Sequence, residues 1–464
     1  MRVLALAQAL RAEVYLVGGY VRDALLDKYS PDNLPHDFDY AVTGYSAIKL
    51  AERYASQFNG HFVLLDEENQ TARVVMDDGV TVDFAGCVGD NINTDIKRRD
   101  FSINALVWDP KQPDLVIDLV DGVQDLDRGV VRAVSDAVLH EDPLRMLRAF
   151  RFAATLGFTI DGHTLAVISS LARLLNQSAG ERISHELFII MESNRAAHSA
   201  RLMGDNGLLE VIFPEMVAMH RVTPNSYHHL ALYDHSHEAL LQAELAASHF
   251  PKWARDSFCQ EIAHHTSRLA ATKLATLLHD IGKPDTWVIA DDGRHTFIGH
   301  DKLGAQMCEP IAKRLKWSQK IERLITDLVR WHLRPGQLYH QGLPTDRAIY
   351  RFYRNIGDAV PELILLALSD FRATCGPGLQ EGRELLEKQL RELLDGYIVF
   401  KEGTTRIPRL MDGADVMKLL GLNPGPHVGE ILEALQEAQG LREVLDREQA
   451  EAFVQSWYRE KYSK

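Results

Sequence analysis

Val14-Tyr-Leu-Val-Gly-Gly-Tyr-Val-Arg-Asp23 and, close behind it, Asp37-Phe-Asp39 decide how the first third of this chain folds. Val14–Val17 reads as a short apolar strand, Gly18-Gly19 as a turn and Tyr20–Leu26 as a helix. A strand that passes through glycines into a helix aims unpaired backbone N–H groups at an anion and admits a phosphate without Cβ obstruction. Arg22 falls in the helix's first turn, where its guanidinium can grip the same anion. Asp37 and Asp39, at i and i+2 on a strand, share one face. Carboxylates that close repel each other unless a divalent cation sits between them, and Mg²⁺ with substrate phosphates is the natural occupant. Asp83, in Val80-Thr-Val-Asp-Phe84, offers a third carboxylate from a neighbouring strand, or else a plain edge-strand charge.

Outward from that stretch, Ile48–Phe58 reads as a helix and His61–Leu65, Arg73–Met76 and Val80–Ala85 as strands parted by turns such as Asp77-Asp78-Gly79. Closely spaced strands around few helices predict an α/β or α+β domain on a mixed sheet. From Glu141 onward the pattern is helical: Glu141–Leu156, Leu165–Leu175, Glu181–Glu192 and Ala197–Asn206, then a linker at 221–226 and a histidine-rich helical region over 228–375. Cys375-Gly-Pro-Gly378 punctuates its end, and the remainder alternates helices with turns such as Asn423-Pro-Gly-Pro426. The expected fold is thus an α+β head (1–138), then an all-α neck (139–225), a third helical domain (226–375) and a helical tail (376–464).

The chain has 464 residues, 46% hydrophobic and 25% charged, as ordinary globular proteins do. With 51 Lys plus Arg against 65 Asp plus Glu, its net charge of −14 excludes coating nucleic acid or membrane by bulk charge and leaves a local basic groove. Four scattered cysteines without a CxxC argue against disulfide scaffolds and thiolate zinc sites and fit a reducing compartment. The longest aliphatic run, 363–368, is far below the roughly 20 residues of a membrane helix, and residues 1–10 read as a short helix, not a signal peptide. A cytoplasmic protein without membrane association is expected.

Two further segments carry cations. In Lys97-Arg-Arg-Asp-Phe-Ser-Ile-Asn-Ala105, Arg98 and Arg99 precede an apolar run, at the lip of a core where guanidinium forks bind phosphate or ribose. Glu141-Asp-Pro-Leu-Arg-Met-Leu-Arg-Ala-Phe-Arg-Phe152 is read as one helix bearing Asp142, Arg145, Arg148 and Arg151. Asp142 and Arg145, three apart, offer an acceptor and a bidentate donor to one planar partner, as a base edge requires. Structural salt bridging is the alternative for Arg151.

These segments, with Glu181-Arg-Ile-Ser-His-Glu-Leu187, occur in an order and spacing that resembles the bacterial class II tRNA nucleotidyltransferases, which share ancestry with bacterial poly(A) polymerases. The resemblance spans roughly the first 190 residues; Leu410-Met-Asp-Gly-Ala-Asp415 and Gly421–Gly429 resemble the family's longer members. It implies that Gly18, Gly19 and Arg22 hold the triphosphate and that Asp37 and Asp39 carry two Mg²⁺ ions, one activating the RNA 3′-hydroxyl and the other neutralising the leaving pyrophosphate. It further implies that Arg98, Arg99, Asp100 and Asn104 position ribose and phosphates, that Asp142 and Arg145 read the incoming base, and that Arg148 and Arg151 reach the phosphates. Partners follow: a tRNA 3′ end, CTP and, for the fuller reaction, ATP. Arg98 follows Asp83 by only 15 positions. Enzymes that add the whole CCA end look to have a longer flexible loop here, linked to switching from C to A. The short connection resembles partial enzymes and tilts the reading toward CC addition alone, with a separate A-adding enzyme acting in succession; full CCA addition is the alternative.

A second constellation lies further on. Leu277-Leu-His-Asp-Ile-Gly-Lys283 sets His279 beside Asp280, and adjacent residues on a helix face one metal only from its shoulder. His235 and Asp370 are placed to complete a set, with His300 and His332 as second-metal or phosphate ligands. Imidazole with carboxylate suits Mn²⁺, Ni²⁺, Fe or Zn²⁺ better than Mg²⁺ alone. The arrangement resembles the HD phosphohydrolase superfamily, which implies metal-dependent hydrolysis of phosphomonoesters or 2′,3′-cyclic phosphates; a degenerate HD scaffold, or a protein that is chiefly such a phosphohydrolase on RNA ends, are the competing readings. For the tRNA, Lys97–Arg99, Arg145–Arg151, Arg195 and Arg201 are expected along one concave side, with Lys313, Arg314, Lys316 and Lys320 extending it, and binding steeply weakened by salt.

Overall fold

The computed structural model describes residues 2–29, 35–223, 230–291, 294–340, 342–374, 380–404 and 409–462. It divides into two compact units, 1–214 and 215–464. In the first, β1 (Glu13–Val17), β2 (Asp37–Thr43), β3 (His61–Asp66), β4 (Thr71–Val75), β5 (Thr81–Gly86), β6 (Val107–Trp108) and β7 (Val116–Ile117) form one sheet in the order β3-β4-β5-β2-β1-β6-β7. Only β2 and β5 pair in parallel, so the sheet is mixed, as expected.

One face of this sheet is oily and the other carries the chemistry. The helix Ala47–Phe58 starts where the Ser46 hydroxyl accepts from Lys49 N–H and stops at the left-handed Asn59. It buries Ala47, Leu50, Ala51, Tyr54 and Ala55, one stripe at helical spacing, over the buried Ala72, Val74, Val82 and Phe84 of β4 and β5. The alternate residues, Arg73 and Asp83, therefore stand on the opposite face with Asp37 and Asp39.

The expected single helix over Glu141–Leu156 is corrected. A helix over Asp136–Glu141 ends, Asp142 is extended (φ −135°, ψ 98°), and a new helix runs Leu144–Leu156. Pro143 is the cause, because its ring keeps the preceding residue out of the α region. Likewise the helix expected over Leu165–Leu175 is α-helical over Gly162–Leu171 and tightens to 3₁₀ over Ala172–Gln177. The Leu144–Leu156 helix, burying Leu147, Phe150 and Phe152 among others, packs on Gly180–Glu192.

The second unit is helical, with the hairpins Glu261–Ala263/Thr266–Ser267 and Val288–Ile289/His295–Thr296 as small interruptions. Its tail packs Gly413–Leu420, Pro426–Gly440 and Arg447–Tyr462 around Val416, Ile431, Leu435, Ala450 and Val454. Half of the expected 221–226 linker (224–226) and the whole of Cys375-Gly-Pro-Gly378 lie outside the described residues. Among the described residues no helix is long and apolar enough to cross a membrane.

Candidate functional site

The pairing of β1 with β2 sets Val17 opposite Asp39, which brings the glycine turn over that carboxylate. Gly18 has φ +71°, and a Cβ there would stand 3.1 Å from Asp39 Oδ2 and 3.8 Å from Arg99 Nη1. The position therefore demands glycine twice, for its left-handed backbone and for the space. Gly18→Ala is expected to cost about 1 kcal/mol of stability from backbone strain and to weaken CTP binding roughly tenfold by filling the cradle; equilibrium binding and thermal melting check this.

Asp37 accepts a hydrogen bond from the Thr81 hydroxyl. Burial, and then the charge of Asp83, push the Asp39 carboxyl above its ordinary range, against the opposing pull of Arg99. The face is thus short of positive charge. Asp83 is register partner to Asp39, but both of its oxygens are taken: Arg73 donates from Nε and Nη2, each at 2.8 Å. Hard oxygen donors on one face, beside a turn that a Cβ would fill, fit a hard divalent cation.

A cavity of about 730 Å³ opens alongside, lined by Arg98, Arg99, Asp100, Asp142, Arg145 and Arg148 and, opposite them, by residues of β4 and β5. The cation segment and the pair Asp142 and Arg145 thus meet in one space of nucleotide size. Neither member of that pair is idle: Asp142 Oδ2 accepts from Arg182 at 2.9 Å, and Arg145 Nη1 donates to the Val138 carbonyl at 3.1 Å. Arg22 forks onto Asp23 and donates to Asn104 Oδ1 at 2.8 Å; Asn104 in turn donates to Asp100. Asp100 receives Arg148 at 3.0 and 2.6 Å, which holds its buried carboxyl below the ordinary range although burial itself acts the other way. Arg148 leads to Glu186 at 3.8 Å, and Glu186 to Arg151 at 2.5 Å. Arg151 thereby sits on Glu186, and the guanidiniums of Arg22, Arg148 and Arg151 surround the ring of Phe152. Arg195 donates to the carbonyls of Ala153 and Phe158, and Arg201 pairs with Asp205.

Sequence reasoning missed Arg73, Arg182, Glu186 and Phe152. The partners of Arg73, Arg182 and Glu186 lie 10 to 40 positions away, and Arg22 reaches the Phe152 ring from the distant Gly19–Leu25 helix, so only the fold brings them together. Glu186→Ala is expected to destabilise the first unit by about 3 kcal/mol, since it strands the partly buried Arg151 guanidinium while Arg148 keeps Asp100; denaturant unfolding reads this directly.

The second constellation converges. His279 and Asp280 follow the end of the Arg268–Leu278 helix, the shoulder position their adjacency required. His235, His279 and Asp280 bring one ligand atom each within 4.8 Å of one another, and so do Asp280, His300 and His332. Asp370 Oδ1 lies 3.1 Å from His235 Nε2 and 3.5 Å from His279 Nε2. The Nδ1 atoms of His279, His300 and His332 face the carbonyls of Thr276, Phe297 and Val329 at 2.6 to 2.7 Å. Donation there fixes the tautomer and leaves Nε2 lone pairs converging on the carboxylates, an arrangement that calls for a cation. Neither buried oxygen of Asp280 receives a well-directed hydrogen bond, although Lys283 Nζ stands 2.6 Å from Oδ2. Burial disfavours a charged His279, yet Asp280 and Asp370 outweigh it and push its pKa up to about 10. The donor set of imidazole and carboxylate fits a borderline divalent metal.

Three family models match the chain in order: the poly A polymerase head domain over 14–132, a probable RNA- and SrmB-binding site of polymerase A over 157–219, and the HD domain over 232–374. The chain is 34% identical over 453 residues to an A-adding tRNA nucleotidyltransferase of Deinococcus radiodurans, covering 96% of this chain and 95% of that one. It is 32% identical over 453 residues to a CC-adding tRNA nucleotidyltransferase of Thermus thermophilus, covering 96% and 94%. Its fold is similar to that of a Thermotoga maritima CCA-adding enzyme solved with tRNA (TM-score 0.63, 21% identity, 98% of this chain and 94% of that one).

Proposed function

We propose that this chain, which belongs to the tRNA nucleotidyltransferase family and is a nucleotidyltransferase acting on tRNA, adds CMP units from CTP to the tRNA 3′ end and leaves the terminal A to a second enzyme. The observation that carries the partial activity is the connection from Asp83 to Arg98. After β5 it is filled by a 3₁₀ turn at Val88–Asp90 and the short helix Ile92–Ile96, which leaves no room for a long flexible loop. Terminal A addition is the second reading, favoured by the likeness to the Deinococcus enzyme. Single-turnover extension of tRNAs ending before the first C, after one C and after CC, with CTP alone and then with ATP, separates the cases. Two cytidylates and no adenylate are expected; A on the CC end favours the second reading, and addition of all three overturns partial activity.

In the head, Asp37 and Asp39 would hold Mg²⁺. When bound, Mg²⁺ favours the deprotonated RNA 3′-hydroxyl and neutralises the leaving pyrophosphate. The amides after Gly18 and the guanidinium of Arg22 receive the triphosphate, and Arg98, Arg99 and Asn104 steady phosphates and ribose. Asp142 and Arg145 trade their present protein partners for the edge of the base, so side chains stand in for a template. Asp100 fixes Arg148, and through Glu186 Arg151, at the rim of the same cavity. Asp83, both of whose oxygens receive Arg73, stands beside Asp37 and Asp39 and outside that pair.

His235, His279, Asp280 and Asp370 would hold a transition metal such as Mn²⁺, Ni²⁺ or Zn²⁺, which when bound activates water toward a phosphate ester. Lys283 stands by as a phosphate partner. We assign this centre to hydrolysis of terminal phosphates on RNA, with the four-domain division at 138, 225 and 375 and a cytoplasmic setting as parts of the same reading.

A further inference from the structure

Four neighbouring strands place Asp39, Asp83, Arg73 and Val63 in one cross-strand row, by the pairings Asp39↔Asp83, Arg73↔Asp83 and Val63↔Arg73. Residues paired this way share a face, so Arg73 stands on the same face as the carboxylates, one strand beyond Asp83. Its contact with Asp83 is fork to fork, Nε to Oδ1 and Nη2 to Oδ2 at 2.8 Å each. The pair is open to solvent, Arg73 by 44% and Asp83 by 21%, so the fold does not depend on it. A guanidinium does not give up its proton, so this counter-charge is permanent. A cation that takes Asp83 as a ligand must first break both charge-assisted bonds.

We propose that Arg73 is a positioning residue of the transfer site: by holding Asp83 through both oxygens it withholds that carboxylate from Mg²⁺ and leaves Asp37 and Asp39 as the pair that holds the ion. The inference rests on the reading of Asp37 and Asp39 as Mg²⁺ ligands. A cation held by two carboxylates is bound less tightly than one held by three, and it leaves more readily with pyrophosphate.

Equilibrium binding of labelled CTP to the full chain, titrated with Mg²⁺, tests this without turnover and reports on the head alone. Arg73→Leu is expected to lower the Mg²⁺ midpoint roughly tenfold by freeing Asp83. Arg73→Leu with Asp83→Asn returns it to the wild-type value, and Asp83→Asn alone stays within about twofold of wild type. Arg73→Lys, with one point contact for the fork, lies between. An unchanged or raised midpoint in Arg73→Leu, or a large rise in Asp83→Asn alone, overturns the proposal. Should Arg73→Leu fail to fold, Asp83→Asn and Arg73→Lys still decide it. If Asp39→Asn leaves Mg²⁺-dependent CTP binding intact, it is the underlying metal assignment that fails, not the clamp.

Discussion

Asp39→Asn should abolish nucleotide addition by about a thousandfold or more while leaving the protein as stable as before, or slightly more so. The substitution keeps shape and removes one charge from a place where charge is poorly tolerated. Burial and the neighbouring Asp83 push this carboxyl above its ordinary value of 3.8, so the native fold binds its proton more tightly than the unfolded chain does. The sign follows from linkage: wild type loses stability relative to Asp39→Asn as pH rises from the unfolded value through the raised folded one, and at neutral pH the whole penalty is present. Single-turnover CMP incorporation reads the first effect, and thermal melting at acid and neutral pH the second. An Asp39→Asn protein that melts lower at neutral pH, or that still incorporates CMP near the wild-type rate, contradicts the account. On the proposed reading, a cation with substrate phosphates offsets this unfavourable charge.

What could be read from residues alone has a clear physical boundary. Spacing shows which residues share a face, and so Asp37 and Asp39 were placed together from their i, i+2 relation and β2 delivers them so. Glycine at 18 was read as a turn near an anion; the structure adds that Asp39 stands within 3.1 Å of a Cβ there. Spacing is silent on what pairs across strands. The register that sets Arg73 against Asp83 depends on the tight turn between β4 and β5, and a slip of one residue would have put Arg73 in the core. The break in the expected helix at Glu141–Leu156 is different: its signal, Pro143 acting on Asp142, is in the sequence, because a proline constrains the residue before it even where its own first-turn position is tolerated. The consequence is functional. Asp142 stands in an extended link between two helices, where its oxygens reach both the Leu144 amide and Arg182. In the second unit the ligand types were legible as a pattern of His, His-Asp and Asp, and His300 and His332 were placed with them, but not the sharing of Asp280 by two groups of three.

Asp280→Asn should strip the second unit of its metal and of phosphate-ester hydrolysis, by about a thousandfold or more in rate, and leave CMP addition within about twofold. The carboxylate is 0% exposed and common to both ligand groups, so its loss removes negative charge from beside all four imidazoles. An amide of the same shape supplies a neutral oxygen and an N–H₂ group, and the latter repels a cation. Four histidines then face one another with Asp370 as the remaining acidic ligand, and His279 loses the neighbour that most strongly favours its protonation. Two measurements make the outcome unambiguous: metal per chain by elemental analysis, and side-by-side assays of 2′,3′-cyclic phosphate hydrolysis and tRNA extension on one preparation. Retained metal sinks the assignment of the ligands. Loss of metal from a wild-type chain that shows no hydrolysis makes the centre a structural clip, whose removal should then appear as a drop in melting temperature. Lost extension alongside lost hydrolysis would mean that the two centres are coupled, and that the carboxylates of the head do not act alone.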